Sequence, residues 1–188
     1  MDALLTYVFR LADDNLILGQ RLGALVAKMP ELEEDIAVAN LALDHVGQAR
    51  NLYQYAAELD SSGRSEDDVS PRTEDDFAML RDEREFLNAV LVEQPNGDFA
   101  HTMVRQFFVD AYQVPLYGAL SHSADERLAA AGAEDYGSTQ TRLAQTAHTV
   151  KVDLELPRDA LPPYLRLAME EAGEDALRLP AEIRIKLR

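Results

Sequence analysis

Histidine and carboxylate three residues apart on a helix share one face, so both can reach the same metal. A di-metal carboxylate site in a helical bundle takes a Glu from each of two helices and a Glu-x-x-His pair from each of the other two. The chain has four histidines. Three residues before His45, His122 and His148 stand Ala42, Ala119 and Gln145. Only His101 has an acid there, Asp98, which directly follows Asn96-Gly97 and so reads as a helix cap. The sequence therefore holds no complete di-metal ligand set.

Polar residues nonetheless stand where such ligands would sit. Asn15 interrupts a seam of Leu4, Val8, Leu11, Leu18, Leu22 and Leu25. Between residues 36 and 49 the polar side chains are Asn40, Asp44, His45 and Gln48, and Asn40, Asp44 and Gln48 share a stripe at spacing four. Gln106, Asp110 and Gln113 form a similar stripe further on. Either stripe reads as a solvent face or as the interior of a hydrogen-bonded network. Asn15 favours the network, because leucines flank it and an unpaired buried amide costs about 1–3 kcal/mol. An enzyme-class alternative is a weak, unorthodox metal site built from Asp44, His45, Asp110 and His148, although two metals need more anionic ligands. Glycine-rich phosphate loops, Walker sequences and G-x-S-x-G are absent.

The elements that must position these residues are mainly helices. The 4-3-4-3 seam predicts a first helix up to Met29, stopped by Pro30, which opens a second helix running to about Leu59. Residues 60–76 read as an acidic loop, and 77–93 as a third helix with an ion-paired start (Asp82, Glu83 and Glu85 among Arg81 and Arg84). Its apolar side (Phe86, Leu87, Val90, Leu91) is expected mostly in the core. Gln94-Pro95-Asn96-Gly97 is a turn, Asp98 caps a helix of 99 to about 122, and Ser123-x-x-Glu126 is a capping box for a helix to about Ala133. Residues 134–140 read as loop and 141–149 as a short helix. Residues 150–156 and 182–188 alternate apolar and charged side chains, the strand signal, and an antiparallel pairing would set Asp153 and Glu155 against Arg184, Lys186 and Arg188. A helix of about 163–176 lies between them. Gly19-x-x-x-Gly23 reads as a close helix contact.

The chain is 188 residues long with a net charge of −16, enough for one core and too acidic to favour nucleic acid or anionic membrane. It has no Cys, which excludes disulfides, thiolate metal sites and cysteine nucleophiles. No signal-peptide pattern opens it and no apolar run approaches a membrane span, so the expected setting is cytoplasmic.

The stretches ELEEDIAVANLALDHVGQARNLYQYAAEL (31–59), LRDEREFLNAVLVEQPNGDFA (80–100) and VRQFFVDAYQVPLY (104–117) carry a resemblance. From the N-terminus to about Ala130 the chain resembles the structural, non-catalytic C subunits of bacterial phenylacetyl-CoA epoxidases, members of the ferritin-like superfamily. The resemblance implies an all-α, ferritin-like bundle over 1–133, shortened at its end. Residues 134–188 depart from the family and read as a divergent extension packed on the bundle or on a partner, in which the alternating pattern, foreign to the family, places the short β pair. The resemblance also implies a subunit of a phenylacetate-degrading monooxygenase that pairs with a catalytic A subunit, or with itself, and is silent alone. It puts the di-iron centre in that partner and no cofactor in this chain. The catalytic subunit's Asp-Glu-x-Gly-His becomes Asp44-His45-Val46-Gly47-Gln48 here, with His45 for the Glu ligand and Gln48 for the His. Asn15 falls where a first-helix Glu would stand, so Asn15, Asp44, His45, Gln48 and Asp110 are vestigial ligand-like positions. The Lys-Glu-x-x-Tyr-His helix of the family has no clear counterpart beyond Ala130, where Gln145-x-x-His148 is a faint echo. That divergence leaves open a third role, a shortened homologue serving as an unrelated interaction protein.

Overall fold

The computed structural model describes residues 2–29, 31–62, 71–149, 153–156 and 184–187. Its long helices are α1 (Ala3–Gly23), α2 (Leu32–Ser62), α5 (Phe99–Leu120) and α6 (Glu126–Thr149). Short helices α3 (Glu74–Met79) and α4 (Val90–Glu93), with a 3-10 turn at Glu83–Glu85, lie between the second and third long ones. α1 packs along α2, α5 packs along α6, and α2 touches α6, which closes a four-helix bundle. The fold is the all-α, ferritin-like bundle expected, and α6 supplies a fourth long helix where the sequence pattern offers only fragments.

That helix is the largest correction. Residues 134–140 are not a loop, and the expected boundary at 133/134 falls inside one continuous helix. The inward residues of α6 are Leu128, Gly132, Asp135, Thr139, Arg142 and Thr146, stepping 4-3-4-3-4. The period is that of a bundle seam, but most of its members are polar, so hydrophobic patterning does not register it. At its start Asp125, not Ser123, accepts the Leu128 N–H (2.9 Å).

α1 ends at Gly23, earlier than the proline-based expectation. Ala27 takes a left-handed φ of 67°, and its N–H donates to Asp35 Oδ1 of α2 (2.6 Å), so a tertiary bond ends the chain's helical path. Pro30, residues 63–70 and the expected helix of 163–176 lie outside the described residues.

The expected helix of 77–93 is broken by α1. Asp13 Oδ2 accepts the Leu87 N–H and Asp14 Oδ1 accepts the Ala89 N–H, both at 2.7 Å, holding this backbone extended. Arg81 does not join a solvated ion-paired face. Its guanidinium bonds Asp13, Tyr53 Oη and the carbonyls of Phe77 and Glu85, and lies over the rings of Phe9 and Phe86. Phe86 and Leu87 are half-buried, whereas Val90 is 72% and Leu91 41% exposed.

β1 (Asp153–Leu156) and β2 (Arg184–Leu187) do pair, but in parallel rather than antiparallel. A parallel pair needs a long connection, and residues 157–183 intervene. The register sets Asp153 with Arg184 and Glu155 with Lys186, so acid still stands opposite base. Among the described residues no helix is long and apolar enough to cross a membrane.

Candidate functional site

Two apolar clusters cap the ends of the bundle. Val8, Leu11, Leu52, Tyr53 and Leu128 belong to one, and Leu22, Val38, Leu41 and Met103 to the other. The sequence between them places polar residues on the inward face of all four long helices at once. Asn15 from α1, His45 and Gln48 from α2, Gln106, Asp110 and Gln113 from α5, and Thr139 and Arg142 from α6 are all buried.

The hydrogen bonds run through this layer without a break. Asn15 Nδ2 donates to Leu11 O (2.9 Å) and Tyr117 Oη (3.0 Å), so its oxygen faces His45 Nδ1 at 2.8 Å. Gln106 Nε2 lies 2.9 Å from His45 Nε2 and donates to Asp110 Oδ1 at 3.0 Å. An amide NH2 donates only, which fixes the imidazole with its proton on Nδ1. Burial and the nearby Arg142 cation hold the His45 pKa well below its ordinary value, so the ring is neutral. Arg142 Nε donates to Asp110 Oδ1 (3.2 Å), and its Nη2 to Gln113 Oε1 (3.2 Å) and Thr139 Oγ1 (2.7 Å). Burial outweighs that pairing and pushes the Asp110 carboxyl up to about 6. Asp135, on the turn of α6 before Thr139, is pushed up to about 7, first by burial and then by Glu134.

The arrangement has the pattern of a di-metal carboxylate site with other residues in it. At the positions of the two single-Glu ligands stand Asn15 of α1 and Asp110 of α5, the latter with Gln106 and Gln113 on either side of it. α2 gives His45-x-x-Gln48 and α6 gives Thr139-x-x-Arg142, each pair at the spacing that a Glu-x-x-His ligand pair would have. The chemistry of this donor set does not fit a metal pair. Both nitrogens of His45 are engaged, the carboxylates are Asp110 and, one turn before Thr139, Asp135, and a guanidinium occupies the layer and repels a dication. Among the described residues no three His, Cys, Asp or Glu side chains converge.

The structure joins Asn15, His45 and Asp110 through Gln106, and buries Gln48 on the same face of α2 as His45, where it donates to Ser138 Oγ at 3.3 Å. Asp44 does not join them. It is exposed, because one residue before His45 is a rotation of about 100° away from the inward face. Asn40 is exposed as well, so of that stripe only Gln48 is buried. The alternative set of Asp44, His45, Asp110 and His148 therefore does not come together through Asp44, and the His148 side chain lies outside the described residues. Asp98 is a cap, accepting the His101 N–H (2.8 Å). Sequence reasoning missed Thr139, Arg142 and Tyr117. The signal for the first two was the 4-3-4-3-4 seam of α6, legible only if polar residues are allowed in it.

Residues 1–134 match the family model described as phenylacetic acid catabolic protein. Over 134 residues the chain is 49% identical to the C subunit of 1,2-phenylacetyl-CoA epoxidase from Escherichia coli (strain K12), covering 71% of this chain and 50% of the relative. The chain spans about half the length of that curated relative. The matched stretch holds α1, α2, α5 and the polar layer's residues from Asn15 to Gln113, and ends within α6. On the extent of that match, the chain belongs to the phenylacetic acid catabolic protein family.

Proposed function

We propose that this chain is a non-catalytic structural subunit of a multicomponent di-iron oxygenase that epoxidises the ring of phenylacetyl-CoA in aerobic phenylacetate catabolism. It acts by pairing with the catalytic A subunit, which carries the iron, and holds no cofactor of its own. The observation that carries this reading is Arg142, 1% exposed at its side chain and bonded to Asp110 in the layer where a metal pair would lie. A neutral imidazole, amides and hydroxyls fill the other positions. Among the described residues of the layer, no nucleophile or acid–base pair faces solvent. The name of the relative, a subunit of an epoxidase, supports the same role.

A subunit without chemistry acts through its surface. α2 presents Leu32, Ile36, Leu43 and Val46 at 70%, 56%, 69% and 45% exposure, the kind of apolar surface a partner covers. The test has two arms. Elemental analysis after aerobic iron loading should find no stoichiometric iron, manganese or zinc, and the catalytic A subunit should co-purify with this chain at micromolar concentration. Two bound metals per chain, or a monomer that ignores the A subunit, would overturn the reading.

A further inference from the structure

The polar layer between α2, α5 and α6 is short of hydrogen-bond donors. Gln48 Oε1, Gln106 Oε1 and Asp110 Oδ2 are sealed from solvent there, and no donor points at them. The charges do not balance either. Asp110 and Asp135 are buried, at 0% and 5% exposure, and Arg142 is the cation among the described residues of the layer. Its Nε is committed to Asp110 (3.2 Å). Asp135 is left as a buried carboxyl without a guanidinium of its own, and such a group takes a proton rather than keep its charge.

A proton on Asp135 answers both deficits. The Gln48 amide of α2 lies beside the Asp135 carboxyl. Its NH2 uses one hydrogen on Ser138 Oγ at 3.3 Å and has a second to give. A carboxylic acid and a primary amide exchange two hydrogen bonds, N–H to carboxyl oxygen and O–H to amide oxygen. That exchange supplies the donor that Gln48 Oε1 lacks. An ionised Asp135 has no hydrogen to give and sets its charge against the same oxygen.

The groups around Asp135 come from every helix of the bundle. Glu134 of its own helix and Asp44 of α2 oppose its ionisation, and Arg142 favours it. From α5 come the Tyr117 phenol and Asp110, the latter already on Arg142. His45 of α2 is neutral, and α1 reaches the layer through the uncharged Asn15. Burial first and Glu134 second push the carboxyl up to about 7.

We propose that Asp135 is a proton-operated latch, fastening α6 to α2 through Gln48 while it carries a proton and releasing that part of α6 when it gives the proton up. A raised carboxyl stabilises the docked helix fully below its ordinary value of 3.8, and the contribution is lost as pH rises through about 7. The latch is a property of the bundle alone, independent of partner binding, so its failure leaves the functional reading standing.

Hydrogen exchange of the full-length chain at pH 6 and pH 8.5, corrected for the intrinsic pH dependence of amide exchange, reads the opening of α6 directly. Peptides around Asp135 should lose about tenfold in protection between the two pH values, with peptides of α1 as the reference. Asp135→Asn cannot ionise and keeps an NH2 for Gln48 Oε1. Its change should stay within about twofold, the part left to Asp110 at about 6. Gln48→Met removes the partner amide without touching a charge, and at pH 6 should bring α6 down toward its pH 8.5 protection. A flat profile in the parent, the same tenfold change in Asp135→Asn, or an equal loss in α1 overturns the proposal. Should Asp135→Asn unfold the chain, Gln48→Met decides, and full α6 protection in that variant at pH 6 overturns the latch.

Discussion

Arg142 is the residue on which the polar layer turns, because it is the cation that offsets a buried carboxylate. Removing one partner of a buried pair costs about 3–5 kcal/mol, most of it from the charge left behind. Arg142→Met keeps much of the volume and leaves Asp110 unpaired. The pH dependence of that loss follows from the Asp110 carboxyl, raised to about 6 by burial against an ordinary value of 3.8. A raised carboxyl holds its proton more tightly in the fold, so its contribution is full below about pH 4 and is lost as pH rises through about 6. Without the Arg142 cation the carboxyl rises further, and the loss continues above pH 6. Urea denaturation should therefore show Arg142→Met nearly as stable as the parent at pH 5 and about 3–5 kcal/mol less stable at pH 8. Asp110→Asn in the same chain keeps an acceptor for Gln106 and should recover much of the gap at pH 8. A gap of equal size at both pH values would show that lost packing, not the stranded charge, is what matters.

Helix α6 comes up against the backbone at the end of α5 at Gly132, and the helix carries its own control. A Cβ at Gly132 would stand 2.5 Å from Ser121 N and 2.7 Å from Leu120 C, backbone that cannot move aside. Gly137, further along the same helix, has nothing within 4 Å of its would-be Cβ. Gly132→Ala should cost about 1–3 kcal/mol through overpacking. Gly137→Ala should be neutral or stabilise by up to about 1 kcal/mol through helix propensity. Thermal melts of the two variants read this directly, and a harmless Gly132→Ala would mean that α5 and α6 sit further apart. The same helix marks the limit of what the sequence discloses. α1 was legible because its seam is leucine with one interruption, and Asn15 in that seam pointed to a buried network. Asp110 followed from its polar stripe on α5, and His45 and Gln48 from the family resemblance, while the α2 stripe of Asn40, Asp44 and Gln48 pointed to a face of which only Gln48 is buried. α6 was not legible, since Asp135, Thr139 and Arg142 look like a solvent face until α5 supplies Asp110 and Gln113 as partners. The extended segment of residues 86–89 was hidden for a related reason. Its backbone conformation is set by the carboxylates of Asp13 and Asp14, which stand far earlier in the chain.

At the scale of the whole molecule, α2 is apolar on two sides, and the bundle uses one of them. The inner side runs through Val38, Leu41, Ala42, His45 and Ala49. The outer side runs through Leu32, Ile36, Ala39 and Leu43, stepping 4-3-4, the spacing that lets one helix seat its side chains between those of another, with Val46 at its edge against Gly19 of α1. A helix apolar all round belongs in an interior, so the outer seam asks for a further helix, and the small Ala39 at its middle lets that helix approach closely. Its flanks carry Glu33, Asp35, Asn40 and Asp44, and a chain of net charge −16 gives little attraction for its own copy along this line. A helix from a different, less acidic chain fits better, in keeping with a role beside a catalytic subunit. Ile36 and Leu43, at 56% and 69% exposure, are seam positions that contribute little to the fold. The double variant Ile36→Glu with Leu43→Glu should melt within a few degrees of the parent, since exposed substitutions seldom move stability by more than about 0.5 kcal/mol. Its association with the catalytic A subunit, read by light scattering of the mixed proteins, should weaken by at least about tenfold, because two carboxylates would be buried without partners. Undiminished association of this variant would move the contact off α2, to the exposed Phe108 and Tyr112 side of α5.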